Sequence, residues 1–195
     1  MEVINLRTNK NNLLNGVLLI EPNIFSDKRG FFYESWNSDT FNKKITKTNF
    51  CQDNHSHSSK GVLRGMHYQL NPFAQGKLIR CTKGNIYDVA IDLRKSSPTF
   101  KEWIGIELNE TNKKLLWIPE GFAHGFLTLS SFADVQYKVT KKWDKDSEKS
   151  IMWNDPELNI NWPLNVIEKN EPLISEKDSN GLTILQAEKL NFIFS

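Results

Sequence analysis

The chain has 195 residues, 38% of them hydrophobic, 11% aromatic and 25% charged, which excludes disorder as its main state and allows about 70% of its surface to be buried without a disulfide or structural metal. Its 25 basic and 23 acidic residues leave a formal charge of +2, far from the one-sided balance of a nucleic-acid or membrane-surface binder. No apolar run approaches the roughly 18 residues of a membrane helix, Met1 to Arg7 contains no signal segment, and Cys51 and Cys81 therefore read as free thiols of a cytoplasmic protein.

In chain order, most segments alternate with period two and few show helical periodicity. Val17–Ile20 reads as a strand ending at Glu21-Pro22-Asn23, and Asp27-Lys28-Arg29-Gly30 turns the chain into an aromatic strand, Phe31–Trp36. Asp39–Lys44 suits one helical turn. Phe50–Asn54 leads into a polar, Ser-rich loop carrying His55 and His57, then into Gly61–Gln69. Lys77–Cys81 and Ile86–Leu93 flank the hairpin punctuation Lys83-Gly84-Asn85. Trp103–Leu108, Lys114–Ile118, Ala123–Leu129 and Val135–Val139 continue at short spacing, the pattern of an all-β antiparallel sandwich or barrel. From about Trp143 the composition shifts toward Asp, Asn, Lys and Pro. Roughly fifty such residues make a poor independent core, so 1–195 reads as one domain, with a barrel core over about 17–143 and an arm over about 144–195 laid across it. Leu182–Phe192 suits a short helix.

Ionisable residues in phase with apolar ones are the candidates for chemistry, because burying a polar group unpaired costs about 1–3 kcal/mol. Tyr137 shares a face with Val135 and Val139, His124 with Phe122 and Phe126, and His67 with Leu63 and Gln69. Taken singly, each is more often a satisfied core residue than a catalyst; together they are less ordinary. Lys77 and Arg64 lie at strand margins, where a solvated cation is the ordinary outcome. Arg64 is three residues before His67, so a regular strand would point them to opposite faces, and one site can use both only through a bulge or a partner chain. His55 and His57 could begin a metal site, but no third ligand lies at useful spacing, and a solvated loop pair is the simpler reading. No Gly-x-Gly-x-x-Gly, Walker loop, Cys-x-x-Cys or Gly-x-Ser-x-Gly occurs, so any chemistry must run on side chains.

Asp27–Glu34, Gln52–Ser56, Gly61–Gln69, Gln75–Leu78, Pro119–Phe126, Tyr137-Lys138, Trp153–Pro156 and Leu173–Asp178 together resemble the dTDP-4-dehydrorhamnose 3,5-epimerases of the cupin superfold, in the family's order. The resemblance spans about Val17 to Asp178. It implies a cupin-type antiparallel jelly roll with a few short helices and a C-terminal arm. It also implies a homodimer without metal or cofactor, acting on a dTDP-linked 4-keto-6-deoxy sugar and inverting both carbons that flank the ketone. His67 matches the family's base, and an imidazole of ordinary pKa, about 6.5, is an available acceptor at neutral pH. Asp178 matches the carboxylate that orients it, Tyr137 the acid on the opposite face, and Lys77 the cation beside the ketone oxygen. Arg29 and Arg64 match diphosphate-binding residues, guanidinium being suited to paired phosphate oxygens. Glu34, Gln52, Asn54, His124, Glu148 and Lys177 fall on positions used around sugar or nucleotide. Arg29 and Glu34 would reach the site from the neighbouring chain.

Two features depart from the family pattern. Lys142-Trp143 stands where paired tyrosines are expected, leaving Trp143 to stack on the base, and the stretch between Trp162-Pro163 and Asp178 is several residues longer. Three other readings stay open on sequence: an epimerase acting at one carbon only, a metal-dependent cupin using His55, His57 and His124, and a sugar-nucleotide-binding module without turnover.

Overall fold

A computed structural model describes residues 1–195. Two antiparallel sheets face one another. The larger contains β1 (Glu2–Arg7), β2 (Leu13–Glu21), β5 (Gln52–Ser59), β7 (Lys77–Lys83), β10 (Leu115–Ile118) and β12 (Phe132–Val139), in the order β1-β2-β10-β7-β12-β5. The smaller contains β6 (Leu63–Gln69), β8 (Asn85–Asp92), β9 (Trp103–Asn109), β11 (Phe122–Thr128) and β13 (Glu148–Ser150), in the order β13-β6-β11-β8-β9. A small hairpin, β3 (Phe25–Asp27) and β4 (Gly30–Phe32), stands outside both.

Alternation explains how each strand is buried. Ile86 and Ala90 of β8, with Phe122 and Phe126 of β11, enter the core between the sheets, where they meet Leu14, Val17, Leu19, Ile79, Leu116 and Val135 from the larger sheet. The other faces of β8 and β11 carry Val89, Ile91, Ala123 and Leu127. The arm covers these: Ile151, Leu158, Trp162, Ile167, Ile184 and Ala187 complete a second core on the outside of the smaller sheet. β11 is therefore buried along its whole length, which a strand packed on both faces requires. The helix α3 (Ile184–Lys189) belongs to this layer, held at its start by a capping box from Thr183 and Gln186. On the outside of the larger sheet, α1 (Ser38–Lys44) seats Phe41 against Trp36, Phe50 and Trp117.

Three sequence expectations are corrected. The strand expected over Phe31–Trp36 stops at Phe32, and Phe25, Phe31 and Phe32 are exposed. The barrel begins well before residue 17, because β1 and the first half of β2 are hydrogen-bonded into the larger sheet. His55 and His57 lie on β5 rather than on a loop. The segment is polar on both faces because one side is solvated and the other borders a cleft, so neither shows the apolar alternation of a strand.

Candidate functional site

The cleft opens where β5 and β12 of the larger sheet face β6 and β13 of the smaller. It encloses a cavity of about 300 Å³ lined by Gln52, Asn54, His67, Lys77, Tyr137, Trp143 and Glu148, among others. His67 projects from β6 and Tyr137 from β12, so imidazole and phenol belong to opposite walls.

The backbone of β6 settles the orientation of Arg64 and His67. His67 is paired with His124 of β11 and Arg64 with Phe126, so three steps on β6 match two on β11. The extra residue is a bulge, which shifts the side-chain phase by one. Leu63, Met66 and Tyr68 consequently pack under the arm, so His67 does not share a face with Leu63 as the sequence suggests; Arg64 and His67 instead lie on the opposite face together. Gly65 makes this possible. Its φ is +134°, and a Cβ there would lie 2.5 Å from the Cα of Gly125, a position open to glycine alone. Arg64 Nε donates to Ser58 Oγ at 3.0 Å.

His67 Nε2 lies 2.6 Å from Asp178 Oδ1, leaving Nδ1 as the ring nitrogen available to a bound molecule. Asp178, on the short helix α2 (Glu176–Ser179), is buried, and its Oδ2 accepts from Gly65 N–H at 3.3 Å. Burial alone would raise its pKa. The hydrogen bond and charge of His67, with the Gly65 and Ser175 contacts, outweigh burial and hold the carboxyl below its ordinary value. The pair thus combines an ionised carboxylate with an imidazole it can orient and, once protonated, stabilise.

Lys77 is buried, not solvated at a strand margin as the sequence suggests. Its Nζ donates to His67 C=O at 3.1 Å. Burial brings its pKa down to about 8, with Lys177 pushing the same way and Asp88 and Glu148 opposing. Burial likewise raises the Tyr137 phenol, Glu148 adding to the shift and Arg64 working against it. The phenol therefore keeps its proton at neutral pH, as a donor must.

On the strand beside His67, His124 is buried with Nε2 2.9 Å from each oxygen of Asp88. Burial lowers its pKa, Lys77 and His67 reinforce that shift, and Asp88 opposes it. Sequence reasoning missed Asp88. The signal was present, because Ile86, Asp88 and Ala90 alternate on one face of β8, but the richer apolar series Tyr87, Val89 and Ile91 on the other face masked it.

The rim is a polar chain. Trp143, half exposed, donates from Nε1 to Glu148 Oε2 at 3.0 Å, and Lys177 Nζ lies 2.6 Å from the same oxygen. Burial would raise the Glu148 pKa, but Lys177 and Trp143 lower it overall. Gln52 Nε2 donates to Asn54 Oδ1 at 2.8 Å. Of the other expected site residues, Asp178 and Lys177 stand behind the lining, bonded to His67 and Glu148, while Arg64 on Ser58 and His124 on Asp88 lie outside it. Arg29 and Glu34 make no contact with the lining: Arg29 pairs with Asp27 at 2.6 Å on the exposed β3–β4 hairpin, and Glu34 accepts from Asn37 Nδ2 at 2.9 Å.

The three-histidine metal reading fails on geometry. His55 and His57 project from the exposed face of β5 to Asp134 Oδ1, at 3.5 and 2.7 Å, whereas His124 is in the barrel interior. No group of three or more His, Cys, Asp or Glu side chains is arranged to hold a metal ion.

The fold is a jelly-roll barrel of the cupin type whose cavity carries a carboxylate-backed imidazole on one wall and a phenol on the other, the architecture of a carbohydrate isomerase. The family model described as dTDP-4-dehydrorhamnose 3,5-epimerase matches residues 11–186, and the chain belongs to that family. A dTDP-4-dehydrorhamnose 3,5-epimerase of Shigella flexneri is 52% identical over 173 residues, covering 88% of this chain and 93% of that one. Among solved structures, dTDP-6-deoxy-D-glucose-3,5-epimerase of Legionella pneumophila, in complex with dTDP-4-keto-L-rhamnose, superposes with a TM-score of 0.89 at 39% identity, covering 99% of this chain and 98% of that one. The Mycobacterium tuberculosis epimerase gives 0.92 at 30% identity, covering 100% of this chain and 94% of that one.

Proposed function

We propose that this chain binds dTDP-4-dehydro-6-deoxy-glucose and inverts carbons 3 and 5, as a dTDP-4-dehydrorhamnose 3,5-epimerase. The observation that carries the reading is the placement of the His67–Asp178 pair and Tyr137 on opposite walls of one cavity, with a buried cation between. Both carbons flank a ketone, so each proton is acidic once charge on the ketone oxygen is stabilised. His67, oriented by Asp178, removes the proton from one face. Lys77 stands beside the ketone oxygen and stabilises the enolate, worth more in a site that excludes water. Tyr137 donates a proton to the other face, and the carbon inverts. His124, held by Asp88, takes a hydrogen-bonding place beside the sugar.

Arg64 holds the diphosphate. Gln52, Asn54, Glu148 and Lys177 surround nucleotide and sugar, and the exposed indole of Trp143 stacks on thymine. Arg29 and Glu34 complete the site from the partner in a homodimer. The exposed hairpin bearing Phe25, Phe31 and Phe32 supports this, because an apolar patch of that kind needs cover. No helix is long and apolar enough to cross a membrane. With both cysteines free, we place the protein in the cytoplasm, and the whole chain acts as one epimerase domain using neither metal nor cofactor.

Incubation with the ketosugar nucleotide in deuterated water tests the reading. The protein should wash deuterium into carbons 3 and 5, and His67→Ala should abolish it. Exchange at one carbon only would make it a mono-epimerase; no exchange at either would refute the proposal.

A further inference from the structure

Asp178 sits on a helix of four residues, too short to hold its own position. What fixes it is the chain on either side. Before the helix, Leu173 forms an isolated parallel bridge with Val62. Leu63 N–H donates to Leu173 C=O at 2.9 Å, and Leu173 N–H to Gly61 C=O at 2.8 Å. After the helix, Leu182 forms a second parallel bridge, with Ile151. Met152 N–H donates to Leu182 C=O at 2.8 Å, and Leu182 N–H to Ser150 C=O at 2.8 Å.

The two stitches bracket His67. Val62 leads into β6, the strand of His67, and Ser150 on β13 is the residue paired with His67. The first stitch is a backbone device, because the Leu173 side chain is 60% exposed. The second requires the absence of a side chain: a Cβ at Gly181 would come within 2.9 Å of Met152 N and 3.0 Å of the Ile151 carbonyl carbon.

We infer that residues 173–182 form a strap whose two stitches set the Asp178–His67 geometry, making the Leu173 backbone and Gly181 positioning residues. This rests on the catalytic role proposed for that pair and adds the device that controls it. Between the stitches the carboxylate clasps β6 at two points, His67 Nε2 and Gly65 N–H. A short charge-assisted hydrogen bond weakens steeply as distance and angle depart from the optimum. Slackening either end of the strap therefore frees the imidazole from its orientation without touching any residue of the cavity.

The test uses the full chain with Leu173→Pro, Leu173→Ala and Gly181→Ala. Proline removes the N–H donated to Gly61 while alanine keeps it, and the added methyl at Gly181 meets the backbone of residues 151–152. Two properties are read: the downfield proton resonance of the His67–Asp178 hydrogen bond in substrate-free protein, and kcat and KM for the ketosugar nucleotide. Thermal unfolding identifies any variant that has lost its fold. Should Leu173→Pro be one, Gly181→Ala tests the strap from its other end.

Leu173→Pro and Gly181→Ala should lose or shift the resonance and lower kcat roughly tenfold or more, with a smaller change in KM. Leu173→Ala should keep the resonance. An unchanged resonance and kcat in the folded variants would overturn the inference, as would a Leu173→Ala protein as impaired as Leu173→Pro. If the parent protein does not epimerise at all, the functional reading fails while the resonance still decides the strap.

Discussion

The buried lysine is the residue whose chemistry depends most on its surroundings. Lys77 must carry a proton to stabilise an enolate, and burial leaves its pKa at about 8. Activity should therefore fall as pH rises through about 8. Tyr137 does not explain such a limb, since burial raises its pKa. The kcat/KM profile, which reports the free enzyme, should show this basic limb, and in Lys77→Arg it should move beyond the measurable range; an unmoved limb would assign it elsewhere. Fold stability runs the opposite way. Between about 8 and 10.5 the unfolded chain holds the lysine proton and the folded chain has released it, so stability rises with pH in that window. The family resemblance placed Lys77 beside the ketone oxygen, but its burial was not legible in the sequence, where it stood at a strand margin and looked solvated. His124 and Tyr137 were legible, because alternation puts them in phase with apolar neighbours; His67 was singled out through Leu63, which the bulge turns to the other face. Asp88 was hidden because β8 is apolar on both faces and the eye follows the richer one.

At the scale of the element, the bulge in β6 decides whether a site exists. Without it Arg64 and His67 would face opposite sides of the sheet; with it they share one face. The sequence showed the conflict and named a bulge as one resolution. It could not choose, because Gly65 alone does not reveal a φ of +134° or the approach of Gly125 to 2.5 Å of a Cβ position. Gly65→Ala should therefore destabilise the fold by about 1–3 kcal/mol, as left-handed strain and the Gly125 clash require, and lower kcat by at least as much as Arg64→Ala does. Chemical denaturation with steady-state kinetics checks both. Unchanged stability would mean that β6 accommodates the methyl and that the bulge is not glycine-dependent. Elsewhere the strand series was read correctly where one face is apolar, and wrongly at β5, where neither face is, and over Phe31–Trp36, where the strand stops at the exposed Phe32.

For the whole molecule, an antiparallel barrel with the arm laid over it followed from short, evenly spaced strands and the compositional shift near Trp143. What the arm does there was not legible: it covers a sheet face that alternation had already left apolar, and it carries Asp178 back to His67. Arg29 and Glu34 lie outside the cavity of their own chain, which the proposed dimer explains if each hairpin serves the other subunit. Mixing Arg29→Ala with His67→Ala protein tests this. Random re-pairing gives half the dimers as hybrids, each with one intact site, so activity should recover to about a quarter of the wild-type value. No recovery beyond the sum of the separate variants would place Arg29 in its own chain's site or outside any site.

The division of labour between the two walls is tested most directly by Tyr137→Phe, assayed in deuterated water for both isotope uptake and configuration at carbons 3 and 5. If His67 takes the proton and Tyr137 returns it from the other side, deuterium should still enter with retained configuration while inversion falls by roughly 10²–10⁴-fold. Equal loss of uptake and inversion, or inversion at the wild-type rate, would contradict the account.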